Sequence, residues 1–456
     1  MHSTATKQPK ERSLTGQIVR YIVPLMLTGI LQLLYNAADN VVVGRFDGSN
    51  ALAAVGSTGA LVNLILNVFM GLSVGTAVAV AHDFGANDEE GVQKTVHTSI
   101  LISIFCGVIV GAFGCLCSGT FLKWMGTPDD VLPLSTTYLA IYFLGTPASL
   151  IYNFGASILR SVGDTKRPLF FLTLSGFINV ALNLVFVILF RMSVAGVALA
   201  TIISQYVSMV MIVVCLVREK SCCHLDFRKL RIHRDKMQKI IRVGLPAGIQ
   251  GSVFSVSNVV IQSSVNSFGS LVMAGNTAAA QLEGFAYTAM NSVYHAALTF
   301  VGQNMGAKKY HMINKVVFRC FIVVMVIGLG VGTLMYSFAE PLLKIYLPND
   351  PDAIPYGITR LTYLIIPYFL CGTMEVMVGG QRGMGMSIVP MVTSLVGSCL
   401  LRVIWVMTIF AAFRSLPVLY LSYPISWFLT TAAHAVFYFR HLGKIKKAVR
   451  ETGNEE

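Results

Sequence analysis

The feature that most constrains this chain is its uncharged stretches. Residues 51–82, 95–122, 131–159, 168–190, 192–217 and 243–282 contain no Lys, Arg, Asp or Glu. A helix crossing a bilayer needs about 20 apolar residues, and each run can hold at least one such span. Composition agrees, since 12% of the residues are charged and 55% hydrophobic, against roughly one-quarter charged in an ordinary soluble domain. Dividing these and the later runs at Gly, Pro and charged clusters predicts twelve helices, near 16–38, 52–80, 95–118, 134–157, 168–190, 193–217, 244–265, 273–303, 314–337, 358–379, 388–411 and 417–440. Gly, Ala, Ser and Thr recur through them, which suits close helix packing rather than the dyad alternation of barrel strands. The expected class is an all-α integral membrane protein.

The net charge of +13 would suit a nucleic-acid binder, but its placement points to a membrane instead. With both termini assigned inside, the inner segments hold 27 Lys and Arg. The outer loops hold six, namely Arg45, Lys123, Arg191, Lys344, Arg360 and Arg414, and Arg402 is left inside a span. This asymmetry predicts cytoplasmic termini and a multi-pass protein of the plasma (inner) membrane. The basic start followed by Ile18 to Ala38 reads as a retained first span, because no small-residue cleavage site follows it. The nine cysteines, including Cys222 and Cys223, have neither metal nor disulfide-framework spacing and read as packing residues or reduced thiols.

The halves match each other at an offset of 221 or 222 residues: Pro24 falls on Pro246, Asn36 on Asn258, FGAND (84–88) on MGAKK (305–309), and Arg160, Gly163 and Pro168 on Arg382, Gly385 and Pro390. Six spans per half is an even number, so both halves enter from the same side and form a parallel repeat, an arrangement that places a transport site between halves near the midplane. The expected organisation is an N-terminal six-helix bundle (1–217), a basic cytoplasmic linker (218–242), a C-terminal six-helix bundle (243–440) and a cytoplasmic tail (441–456). RSVGDTK (160–166) lacks Walker spacing and follows no strand, which sets aside an ATPase.

Three acids sit well inside predicted spans: Asp39, Glu283 and Glu375. A charge at the bilayer centre costs roughly 2.5–3.5 kcal/mol on insertion scales, so each should face protein or a watery cavity. Gln32, Tyr35 and Asn36 precede Asp39 at spacings of seven, four and three, on one helical stripe able to hold a cation. The matching helix of the second half carries Phe254, Ser257, Asn258 and Ile261, without an acid. Asn179 and Asn183 share a face and offer amide oxygens. Glu283, Tyr287, Asn291, His295, Thr299 and Gln303 follow at four-residue spacing, a row that winds about 40° per step. Glu283 to Asn291 is therefore the group that can share a face, and Glu375 is matched by Asn153 in the first half.

Each of these also has a plainer reading: a buried polar contact for the three acids, a satisfied core residue for His295, a structural counter-ion for Arg402. Pro24 and Pro246 suit either a bend one turn into a helix or an ordinary helix start.

LYNAADNVVVGRF (34–46), ILRSVGDTKRP (158–168), NVALN (179–183), GVALAT (196–201), VGLPAGIQ (243–250) and FVGQNMGA (300–307) together make the chain resemble the multidrug and toxic compound extrusion (MATE) transporters over nearly its whole length. The resemblance implies two six-helix bundles and a cavity alternating between the two faces, with export of organic cations driven by inward Na⁺ or H⁺ and no other cofactor. It further implies a first-half coupling-ion site at Asp39, Asn179, Asn183 and Thr201, with Na⁺ a candidate occupant at Asp39. Asn183 departs from the many members that carry a second Asp there. The expected substrate cavity comprises Gln32, Tyr35, Asn36, Glu283, Tyr287, Asn291, His295 and Glu375, with Pro24, Pro246 and Arg402 structural or gating.

On this reading the chain acts as a monomer in the lipid bilayer on small cationic or amphipathic molecules, not on nucleic acid, and is not an enzyme. The runner-up is a flippase for lipid-linked oligosaccharide precursors. Its anionic cargo would want a cavity rich in Arg and Lys, and the embedded charges read here as three acids to one base. A multi-span membrane enzyme would need a clustered catalytic set or metal motif, and none is found.

Overall fold

The computed structural model describes residues 13–46, 49–348 and 350–451. The start of the N-terminal segment and residues 452–456 of the expected tail lie outside the described residues. Among the described residues every regular element is helical. The first half comprises α1 (Leu14–Phe46), α2 (Ser49–Gly85), α3 (Glu89–Trp124), α4 (Leu132–Leu144), α5 (Thr146–Ser161), α6 (Lys166–Leu184) and α7 (Ser193–Arg218). The second comprises α8 (Arg234–Asn266), α9 (Ser270–Gly306), α10 (Tyr310–Ser337), α11 (Ala339–Tyr346), α12 (Ile354–Leu364), α13 (Phe369–Gly383), α14 (Ile388–Ser394), α15 (Leu401–Trp405) and α16 (Leu416–Glu451).

Two spans expected to be single helices are broken at proline, which lacks the N–H that would continue the ladder. α4 and α5 meet at 46° ahead of Pro147, and Pro367 sits in the short 3₁₀ turn between α12 and α13. Nine described helices are long and apolar enough to cross a bilayer, or ten with the α4–α5 pair. α9 and α16, 37 and 36 residues long, complete the twelve. Their composition is more polar because Asn276, Glu283 and Thr299 on α9, and Ser426, Thr430 and His434 on α16, are buried against other helices. Pro24 and Pro246 lie well inside α1 and α8, so the helix-start reading of both is overturned.

The duplication is written in the backbone. Asn87 (φ 55°) and Lys308 (φ 58°) adopt the same left-handed conformation, as do Gly163 (φ 93°) and Gly385 (φ 85°). A π-helical turn at Val185–Leu189 recurs at Val406–Phe410.

The connection between halves is tied down. His97 Nε2 accepts from the Asp226 amide at 3.1 Å and Thr98 Oγ1 from the His233 amide at 3.1 Å. Arg167 pairs with Asp164 and Glu219, and its guanidinium holds the Glu219 carboxyl below the usual carboxylate range. α8 starts at Arg234, inside the basic stretch, and Lys236 Nζ lies 2.7 Å from Asp83 at the end of α2.

The bundles meet most extensively along α2 and α8, and glycine makes the meeting close. A Cβ on Gly71 would lie 2.2 Å from the Gly248 nitrogen, and one on Gly248 2.3 Å from the Val68 oxygen. Beyond this seam, His82 Nε2 is 2.6 Å from the Gly383 carbonyl oxygen, and Gln303 Nε2 donates to the Ser161 carbonyl at 2.7 Å. His82 and Gln303 are repeat equivalents, as are Ser161 and Gly383, so one latch occurs twice. These contacts lie at the end of the molecule where α1 starts, α16 finishes and the linker runs. At the opposite end a cleft of ≈ 640 Å³ separates Leu33, Asn36 and Ala37 on α1 from Met273, Ala274 and Thr277 on α9.

Candidate functional site

Between the bundles lie two confluent chambers. The first, ≈ 580 Å³, is walled mainly by the first bundle and receives the whole α1 stripe, Gln32, Tyr35, Asn36 and Asp39, together with Asn179 and Thr201. Asn183 Nδ2 donates to Asp39 Oδ1. It also stands 3.4 Å from Asn179 Oδ1, and Asn179 Nδ2 stands 3.4 Å from Thr201 Oγ1. Asn179 and Asn183 are buried, one turn apart on α6, so the chain Asp39–Asn183–Asn179–Thr201 follows from a spacing of four on one helix and the approach of α1 and α7 on either side.

The partner that holds Asp39 is a neutral amide, and Asn183 Oδ1 is buried without a hydrogen-bond partner. A carboxylate, two amide oxygens and a hydroxyl make an all-oxygen set suited to a hard cation. Among the described residues no group of three or more His, Cys, Asp or Glu could hold a metal, so any Na⁺ here would rely on one carboxylate and neutral oxygens.

The second chamber, ≈ 780 Å³, is walled mainly by the second bundle. Asn153, Arg160, Tyr287, Asn291 and His295 line both chambers and mark their junction. Of the α9 row it is thus Tyr287, Asn291 and His295 that face the centre, one step beyond the group expected from helix geometry. Thr299 and Gln303 continue into bundle contacts, Thr299 through the Tyr21 hydroxyl at 2.9 Å.

Glu283 lines this chamber, but its carboxylate is paired rather than free. Arg360 Nε and Nη2 reach its two carboxylate oxygens at 2.7 Å each, and Arg360 Nη1 reaches Asn276 Oδ1 at 2.7 Å. Both partners are buried. Arg360, expected in an outer loop, is therefore an embedded charge on α12. Glu375, half-buried on α13, lines the same chamber.

Arg402 is also corrected. It is buried, yet among the described residues no carboxylate pairs with it: Nε donates to Ser426 Oγ at 2.9 Å and the guanidinium lies 4.2 Å from the Tyr423 ring centroid. Arg382, counted with the inner loop, is buried in α13 and donates to the Tyr294 hydroxyl and Gln250 Oε1. The count of three embedded acids to one base therefore fails, because Arg160, Arg360, Arg382 and Arg402 all line the second chamber. The alignment of Arg160 with Arg382 in the two halves was the available signal.

The MatE family model matches residues 24–185 and 246–408, one copy in each half. "Probable multidrug resistance protein YpnP" of Bacillus subtilis (strain 168) is 27% identical, over 85% of this chain and 86% of its own length. "Probable multidrug resistance protein NorM" of Thermotoga maritima is 24% identical, over 85% of this chain and 84% of its own. A solved outward-facing conformation of a multidrug resistance MATE family transporter of the MOP superfamily shares the fold, with TM-score 0.89 at 22% identity, covering 95% of this chain and 97% of that one.

Proposed function

Since the chain belongs to the MatE family, we propose that it is a secondary active antiporter that exports amphipathic small molecules in exchange for inward Na⁺ or H⁺. The observation that carries this reading is Asp39: a carboxylate lining the central cavity, held by a neutral amide, with further oxygens within reach. Proton, Na⁺ and an organic cation can each satisfy such a group, and only one at a time, so their binding is mutually exclusive and their fluxes are coupled. Asn179, Asn183 and Thr201 complete the ion's shell in this scheme. Gln32, Tyr35, Asn36, Tyr287, Asn291 and His295 contact the cargo.

The excess of Lys and Arg on the linker side supports a cytoplasmic position for that end of a plasma-membrane protein. The closed seam and latches then face inward and the cleft outward, which makes this an outward-facing state. Rocking of the two bundles about the central chambers would expose the same site to the other side. A flippase for lipid-linked oligosaccharide precursors would also want the arginines of the second chamber. The names of the curated relatives favour drug export.

The test is ethidium efflux from proteoliposomes under separately imposed Na⁺ and pH gradients, comparing wild type with Asp39→Asn. Gradient-driven efflux is expected in the wild type and loss of at least tenfold in the variant. Undiminished efflux by Asp39→Asn would remove the carboxylate from coupling.

A further inference from the structure

Resting on that reading and deepening it, the geometry points to a second recognition element of opposite polarity: the chamber of the second bundle takes the carboxylate or phosphate of an aromatic molecule. Four guanidinium groups and two carboxylates line this chamber. Arg360 and Glu283 neutralise each other, leaving Arg160, Arg382 and Arg402 against Glu375. An arginine side chain does not shed its charge when buried, and a buried charge without a counter-ion is strongly disfavoured. Among the described residues none of these three arginines has a carboxylate partner in an ion pair.

Three of their nitrogens are also left over. Arg402 Nη2, Arg382 Nε and Arg160 Nε are buried with no hydrogen-bond acceptor, although Arg402 is only 3% and Arg382 only 6% exposed. Arg402 is held in place on its other edge by Ser426 and across its face by Tyr423, so the free nitrogen has a fixed direction. A fixed guanidinium edge is the group that carboxylate and phosphate match best. Tyr287, 40% exposed and lining the same chamber, offers the flat surface an aromatic body would stack on. The formal surplus of two positive charges fits a mono- or dianion, and Glu375 opposes anything more highly charged.

The probes are 2-naphthoate, 2-naphthyl phosphate and the neutral 2-naphthalenemethanol, with binding to the full chain in nanodiscs measured by equilibrium dialysis at two salt concentrations. At least one of the two anions is expected to bind tenfold or more tighter than the alcohol, less so at high salt, and the comparison between them tells carboxylate from phosphate. Arg402→Gln should remove most of the anion's advantage without changing affinity for the alcohol, and Arg402→Lys should restore part of it. Equal binding of all three probes by the wild type overturns the site without recourse to any variant, as does an anion preference that survives Arg402→Gln. Anion binding without gradient-driven ethidium efflux would remove the coupling scheme and keep this site. Efflux without anion preference would do the reverse.

Discussion

Arg360 grips both oxygens of Glu283 at 2.7 Å while its third nitrogen holds Asn276. Removing one member of a buried pair strands the other, at about 3–5 kcal/mol, whereas replacing both by apolar residues of similar volume is often neutral. Glu283→Gln should therefore lower the melting temperature of the detergent-solubilised protein by many degrees, and the double variant Glu283→Leu with Arg360→Met should recover most of the loss. A single variant as stable as wild type would refute a structural role for the pair.

Asn183, buried on α6, donates to Asp39. Asn183→Asp adds a negative charge a few ångströms from the first, worth about 3–4 kcal/mol of gross attraction for a monovalent cation at an effective dielectric of about 20, on the order of a hundredfold or more in affinity. Radiolabelled ²²Na⁺ binding should tighten accordingly. Affinity unchanged by the extra carboxylate would show that this pair of positions does not hold the ion.

The twin latches of His82 and Gln303 each cross from one bundle to the other. Losing one hydrogen bond costs roughly 1 kcal/mol, about a fivefold shift in an opening equilibrium. His82→Ala and Gln303→Ala should each raise hydrogen exchange around residues 82–88 and 303–309 by about that factor, and the double variant by more than either. No change in either segment would mean the latches do not hold this end closed.

Gly71 has the Gly248 backbone where its Cβ would be, whereas Gly59, on the same helix, has nothing within 4 Å. Gly71→Val should abolish most transport at normal expression, with Gly59→Ala close to wild type. Full transport by Gly71→Val would show that the seam opens too readily to need glycine.

The repeat was legible because it rests on local backbone demands. The offset that aligned FGAND with MGAKK and Gly163 with Gly385 is the offset at which left-handed residues recur. The acid stripe on α1 was legible for a similar reason, since three- and four-residue spacings fix a helix face. The partner of Glu283 was not legible because it lies 77 residues away, beyond any periodicity. Arg382 was misread because the glycines around it resemble a loop, and they instead let α13 pack on Tyr294 and Leu298 of α9.

The α2–α8 seam has a thermodynamic corollary. Glycine brings no rotamers to a contact, so two faces joined through Gly71 and Gly248 part and rejoin with no side-chain entropy lost or regained there. On the antiport cycle proposed above, one elementary charge falling through 100 mV would release about 2.3 kcal/mol, a modest sum with which to turn a whole bundle. A seal of bare main chain would keep the demand on that supply low in each such cycle.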